Sequence, residues 1–213
     1  MSILTGGPYY HMVGRTGNNV GRVLRGKNVF SMRPSPSQKP PTSLQLAVRL
    51  KLAMMSDFYS WVTDLLDLGF QDYTAEMSAF NAAVSYGLRN AVTGVSPNFT
   101  IDYTKVMFSR GKLYNVTNPV AETAVGAVVD FTWTSVLYEE YASADDKVSI
   151  VFYNPALGNF VVKMNAALRS AQAYDMQLPL EWSGDDVEIW ILTVNAEGNM
   201  VSNTTFVSQL TIL

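Results

Sequence analysis

Gly21-Arg22-Val23-Leu24-Arg25-Gly26-Lys27-Asn28 comes within one residue of a phosphate-binding loop. Such a loop needs a hydroxyl after its lysine to reach a magnesium ion, and a helix to follow. Asn28 supplies no hydroxyl, and the chain runs on into a proline-rich stretch. Nucleotide hydrolysis is therefore not expected. His11 is the single histidine, and the first carboxylate in sequence after it is Asp57. A triad base needs an orienting carboxylate, and a histidine-based metal site needs more ligands than one. An exposed or interface histidine is the preferred reading. Asp145-Asp146 and Asp185-Asp186 are paired carboxylates that could contribute oxygens to a calcium ion. Both pairs precede strand-like runs, where Asp commonly makes turns, and the turn reading is preferred. Glu139-Glu140 reads as a solvated loop. Asn98, Asn115 and Asn203 open glycosylation-type triplets, read as coincidences of a Thr-rich β sequence. No catalytic, cofactor-binding or metal-ligating residue is assigned, and no small-molecule substrate is evident.

Charge is distributed far more unevenly than the net −3 suggests. The first 56 residues hold no Asp or Glu, and Arg15, Arg22, Arg25, Lys27, Arg33, Lys39, Arg49 and Lys51 make them +8. The remainder is −11. The cations from Arg15 to Lys39 are the candidate binding arm. One reading is electrostatic docking on the acidic body of a neighbouring subunit. The other is neutralisation of nucleic-acid phosphates, with Tyr9, Tyr10 and Phe30 stacking on bases. Docking is preferred, because the cations are dispersed among Gly and Pro and the protein as a whole is acidic.

The elements that carry these residues follow from periodicity. Residues 1–30 are Gly-rich, with two short extended segments around a turn at Arg25-Gly26-Lys27. Four prolines between residues 33 and 41 make an extended linker. Thr42 and Gln45 form a capping box, so a helix starts there. Leu44, Val48, Leu52, Met55, Tyr59, Val62 and Leu66 mark its apolar face, and Gly69 its end. A second helix is expected from about Thr74 to Val92, with Met77, Phe80, Val84, Leu88 and Ala91 buried and Gly94 as the stop. The two form a hairpin. Phe99–Tyr103 and Val106–Phe108 then read as strands. From there the period is two, over Val128–Thr134, Val148–Tyr153, Phe160–Met164, Tyr174–Leu178, Val187–Val194 and Phe206–Ile212. That spacing predicts an antiparallel β-sandwich of about 100 residues.

Phe131 and Trp133, Leu178-Pro179, Gly184 through Trp190, and Asn195 through Gly198 resemble the core tryptophan, corner and terminal hairpin of fibronectin type III and immunoglobulin-like domains. Val187 stands where that corner usually has Tyr. The chain also resembles an uncharacterised Bacteroidota family of proteins of about this length. The resemblance lies in the basic Gly-rich start, Lys39–Thr42 with Gln45-Leu46-Ala47 and Arg49, Ala79–Ala83, Asn90–Gly94, Ile101–Val106, Phe108–Gly111 and Asp130–Thr134. It implies a domain layout and no activity.

The expected fold is α+β: an extended N-terminal arm with its linker (1–41), a helical hairpin with short strands (42–112), and a C-terminal antiparallel β-sandwich of immunoglobulin or fibronectin III type (113–213). Charged residues are only 15% of the chain, which also has 11 Tyr, 10 Phe and 4 Trp. So lightly charged and aromatic a composition suggests surface covered by a partner. There is no cysteine, hence no disulfide framework. Residues 1–13 lack the pattern of a signal peptide, and no apolar run is long enough to span a bilayer. A protein made in the cytoplasm, in some cases released in a particle, is expected. The function expected is non-catalytic and structural: self-assembly into an oligomer, filament or virion- or tail-like particle. A nucleic-acid-associated module and a surface adhesion module acting through the sandwich loops are the alternatives.

Overall fold

The computed structural model describes residues 2–36, 39–75, 77–138 and 140–213. The chain divides into two compact units, residues 1–42 and 43–213.

The first unit is a four-stranded antiparallel sheet rather than an extended arm. Its strands are β1 (Ser2–Leu4), β2 (Gly14–Thr16), β3 (Asn19–Leu24) and β4 (Lys27–Met32), in the order β1-β4-β3-β2. Arg25 (φ 51°) and Gly26 (φ 71°) close the β3–β4 hairpin, both left-handed, as a two-residue type I′ turn requires. The near-miss phosphate loop therefore lies on a hairpin, and its backbone is paired in the ladder. A loop at residues 7–12 passes so close over β3 that a Cβ on Gly21 would sit 2.3 Å from the Met12 carbonyl oxygen. Val29 is the one large apolar side chain buried among the described residues of this unit. Ser37 and Gln38 of the proline-rich linker lie outside the described residues.

The second unit has three layers. Helix α1 (Ser43–Ser60) starts one residue after Thr42, and α2 (Thr63–Gly69) follows a break at Trp61-Val62. At that break the Val62 N–H turns to the Tyr59 carbonyl at 3.2 Å, three residues back instead of four. Helix α3 (Ala79–Asn90) begins later than the periodicity suggests, because Ser78 caps it: its Oγ accepts from the Asn81 N–H at 3.2 Å. Met77 is consequently exposed. The helix also ends earlier, since β5 (Val92–Val95) pairs with β6 (Asn98–Ile101) and Gly94 belongs to that hairpin. Val106–Phe108 is not a strand, although Val106 and Phe108 are buried.

The remaining strands are β7 (Thr117–Ala124), β8 (Val128–Thr134), β9 (Lys147–Asn154), β10 (Asn159–Leu168), β11 (Ala173–Gln177), β12 (Asp186–Val194) and β13 (Thr205–Thr211). They form two antiparallel sheets, β10-β9-β12-β13 and β11-β8-β7. Sequence periodicity missed β7, whose Pro119 lies at a register shift on a sheet edge, where a missing N–H is tolerated.

Strands β9 and β12 are buried on both faces. Val148, Ile150, Phe152, Val187, Ile189 and Ile191 pack with Val129, Phe131 and Trp133 of the other sheet. The rings of Phe131 and Phe152 meet across the layers at 5.6 Å. Val151, Trp190 and Leu192 pack instead with Met55, Tyr59, Leu66, Ala83 and Phe108. The helices and the sandwich-like sheet pair therefore share one unit. No separate domain boundary falls near residue 112.

Glu188 lies on the helix-facing side of β12 and is only 6% exposed. Burial, and then the neighbouring Asp186 carboxylate, push its carboxyl above the ordinary range. The folded protein thus holds this proton more tightly than the unfolded chain. The stability it contributes is present at low pH and is lost as pH rises through the raised value. Glu188→Gln is expected to raise the urea midpoint near neutral pH. The gain should vanish below the ordinary glutamate pKa of about 4.3. Midpoints measured across that range check it.

Candidate functional site

Strand register assigns the side chains of the N-terminal sheet to faces. Arg15 pairs with Val20, Arg22 with Val29, Leu24 with Lys27, and Ile3 with Val29. Directly opposed residues share a face, and alternate residues along a strand share it too. Arg15, Arg22 and Lys27 therefore stand on one face, with Ile3, Val20, Leu24, Val29 and Ser31. The opposite face carries Leu4, Val23, Asn28, Phe30 and Met32. Tyr9 stacks on Phe30 with ring centroids 5.8 Å apart. Arg25 sits in the turn, and Arg33 and Lys39 follow the last strand; all the basic residues of this unit are exposed. His11 is exposed against the Tyr10 ring, 4.2 Å away, and this unit contains no carboxylate side chain.

On the second unit, α1 is divided between two environments. Its C-terminal half buries Met55, Phe58 and Tyr59. Its N-terminal half leaves Leu44 (78%), Val48 (65%), Leu46, Leu50 and Leu52 exposed. The stripe Leu44–Val48–Leu52 was expected to face the core; here only its continuation, Met55, Tyr59, Val62 and Leu66, does so. Near the other end of α1, Trp61 is 68% exposed. It borders a groove of about 260 Å³ that Val62, Thr63, Asp64, Leu65, Val162 and Met164 also line.

A buried ion pair organises the loop end of the sheets. Arg169, in the turn between β10 and β11, is fully buried, and its Nε donates to Asp146 Oδ2 at 3.1 Å. Its Nη1 donates to the Asn115 carbonyl at 3.3 Å, and its Nη2 to the Tyr114 carbonyl and to Thr193 Oγ1. Burial lowers the guanidinium pKa from its ordinary range, and the Asp146 carboxylate opposes that shift. Asp146 Oδ2 also accepts from the Ser143 N–H at 2.9 Å. Asp146 of the first acidic pair is thus engaged in holding the loops. In the second pair, Asp185 accepts from Asn154 at 2.8 Å and Asp186 from Thr211 at 2.6 Å. Glu139 lies outside the described residues. Among the described residues no three or more His, Asp or Glu side chains converge on a metal position. The Asn115 amide nitrogen donates to Ile191, Asn203 and Thr205, so that triplet is structural.

A cleft of about 630 Å³ opens beside this pin, lined in part by Glu140, Ser143, Asn195, Glu197 and Asn199. Tyr114, Tyr138 and Tyr141, all exposed, cluster at this end with centroids 5.1 and 6.1 Å apart. Sequence reasoning singled out the Asp145-Asp146 pair and missed Arg169 and Trp61. A lone Arg and a lone Trp carry no spacing signal.

These surfaces belong to an α+β protein in which helices cover one sheet of a sandwich-like antiparallel pair. No helix among the described residues is long and apolar enough to cross a membrane. Residues 11–208 match the Family of unknown function (DUF6266), and the chain belongs to that family. No curated protein matches it.

Proposed function

We propose that the protein is a non-catalytic structural component that assembles with copies of itself into an oligomer, filament or virion- or tail-like particle. The basic face of its N-terminal sheet docks on the acidic body of a neighbour. The observation that carries this is the sheet itself. It gathers Arg15, Arg22 and Lys27 on one face while burying a single large apolar side chain, Val29. A sheet with so little core gains its stability by being covered. The second unit holds all 18 acidic residues of the chain against nine basic ones, so charge favours such a contact.

The sandwich is read as fibronectin type III-like. Its strands in chain order, β7 to β13, fall into a three-stranded sheet of the first, second and fifth and a four-stranded sheet of the rest. That division supports the reading, and such modules serve as spacers and assembly units. Nucleic acid is the weaker partner for the basic face, because Tyr9 and Phe30 stack on each other at the opposite face. The exposed tyrosine cluster beside the loop-end cleft favours, as a second reading, an adhesion role for the sandwich loops.

Charge reversal tests the main reading. In low salt, sedimentation velocity should find the wild type assembled, and Arg15→Glu/Arg22→Glu/Lys27→Glu dissociated or much weakened. A wild type that stays monomeric at high concentration overturns self-assembly. An unchanged triple variant overturns the docking face. Salt-dependent binding of a DNA or RNA oligomer at about 50 mM salt, lost in the triple variant, would favour nucleic acid instead.

A further inference from the structure

The first half of α1 carries two apolar stripes, with Gln45, Arg49 and Lys51 between them. Leu44, Val48 and Leu52 follow one another at four-residue spacing along one stripe, and Leu46 and Leu50 along another. All five are exposed. A helix segment with two apolar stripes calls for a covering surface, yet α1 buries only Met55, Phe58 and Tyr59, all in its C-terminal half.

Near the far end of the same helix lies a recess of mixed character, in which apolar side chains stand beside Thr63 and Asp64. Trp61 is 68% exposed beside Val62 and Leu65 of the α1–α2 junction and Val162 and Met164 of β10. β10 is an edge strand, so no further strand closes that side of the groove. The two surfaces differ in charge. The helix between residues 43 and 56 carries Arg49 and Lys51 and no acid. Lys51 already lies over the Phe99 ring at 4.7 Å, which leaves Arg49 as the outward cation. The groove is lined by Asp64 and by no basic residue, and Asp57 of α1 and Asp67 of α2 are exposed on either side of the break between the helices.

We propose that the N-terminal half of α1 of one copy seats in the Trp61 groove of a second copy, with Arg49 facing Asp64. This rests on the self-assembly reading above and names its apolar contact. The helix of one copy cannot reach the groove of that same copy. Val48 and Trp61 are thirteen residues apart on a continuous helix up to Ser60, a rise of roughly 20 Å, and a helix does not fold back on itself. The contact joins two different patches, so it is head-to-tail. Repetition closes a ring or propagates a filament. The first turns of α1 are apolar because a neighbour, rather than their own sheets, covers them.

Two variants at exposed positions separate the halves of the contact: Val48→Glu on the helix and Trp61→Ala with Asp64→Lys on the groove. Circular dichroism and urea midpoints establish that both fold. Each alone is expected to self-associate at least about tenfold more weakly in sedimentation velocity, as for loss of an anchor at an interface centre. Mixed one to one in salt high enough to screen the basic-face docking, they should form a heterodimer and stop there, because each retains the surface its partner has lost. A contact between identical patches predicts no such complementation. Either variant assembling like the wild type overturns the proposal, and so does a mixture that stays monomeric. If the wild type is itself monomeric, the self-assembly reading falls with it. If the wild type assembles and both variants do too, the basic-face docking stands and this contact alone is removed.

Discussion

Arg169→Ala should cost the second unit about 3–5 kcal/mol, the effect of removing one partner from a buried ion pair. That is a large fraction of the roughly 5–15 kcal/mol by which domains are folded. Asp146 is 1% exposed, and in the variant its Oδ2 would keep only the Ser143 N–H. The Tyr114 and Asn115 carbonyls would lose the same donor group. A single guanidinium ties the segment before β7, the turn at residues 143–146 and β12, so their loss should be felt together. Urea denaturation would show a lower midpoint, and hydrogen exchange would show early opening of the loop end. Arg169→Ala/Asp146→Ala should be less damaging than Arg169→Ala alone, because no charge is then left buried without its partner. If the double variant were no better than the single, the carbonyl contacts would dominate over the ion pair.

Trp190→Ala is expected to be comparably severe, about 3–5 kcal/mol for a large aromatic removed from a closed core. Trp190 is fully buried on the helix-facing side of β12. Its ring lies 5.1 Å from Phe108, 5.8 Å from Phe206 and 6.3 Å from Tyr103, centroid to centroid. Its Nε1 donates to the Tyr103 carbonyl at 3.0 Å, fixing the irregular segment before Val106. Trp190→Phe should cost less, since most of the volume remains. The urea midpoint measures both. A Trp190→Ala loss below about 1 kcal/mol, the range of ordinary substitutions, would mean that helices and sheet do not share one cooperative core.

Much of the second unit was legible locally. Val128–Thr134 coincides with β8, and the runs at Val148–Tyr153 and Val187–Val194 lie within β9 and β12. β8 alternates with period two, while β9 and β12 are short runs rich in β-branched and aromatic residues, so these strands could be placed from the chain alone. The turn at Arg25-Gly26 was legible for a similar reason, since left-handed backbone favours glycine. The helix ends were less so. Thr74 and Ser78 are both plausible caps, and packing of Ala79, Ala82 and Ala83 against the core decides for Ser78. The extended arm became a sheet because pairing between β1 and β4 joins residues 28 apart, which no local pattern encodes.

The sequence by itself determined the separation of charge along the chain, the α+β content and the two-residue period of the sandwich-like half. These are properties of neighbouring residues and of composition. Only the tertiary structure decided which face a side chain occupies and what meets it there. Strand register placed Arg15, Arg22 and Lys27 on one face and Phe30 on the other. Folding of distant turns buried Arg169 against Asp146, twenty-three residues earlier in sequence. Packing left Leu44, Val48 and Leu52 bare while Met55 and Tyr59, on the same stripe, went inside. Helical periodicity says which residues share a side; only the extent of the surface packed against it says how much of that side is covered.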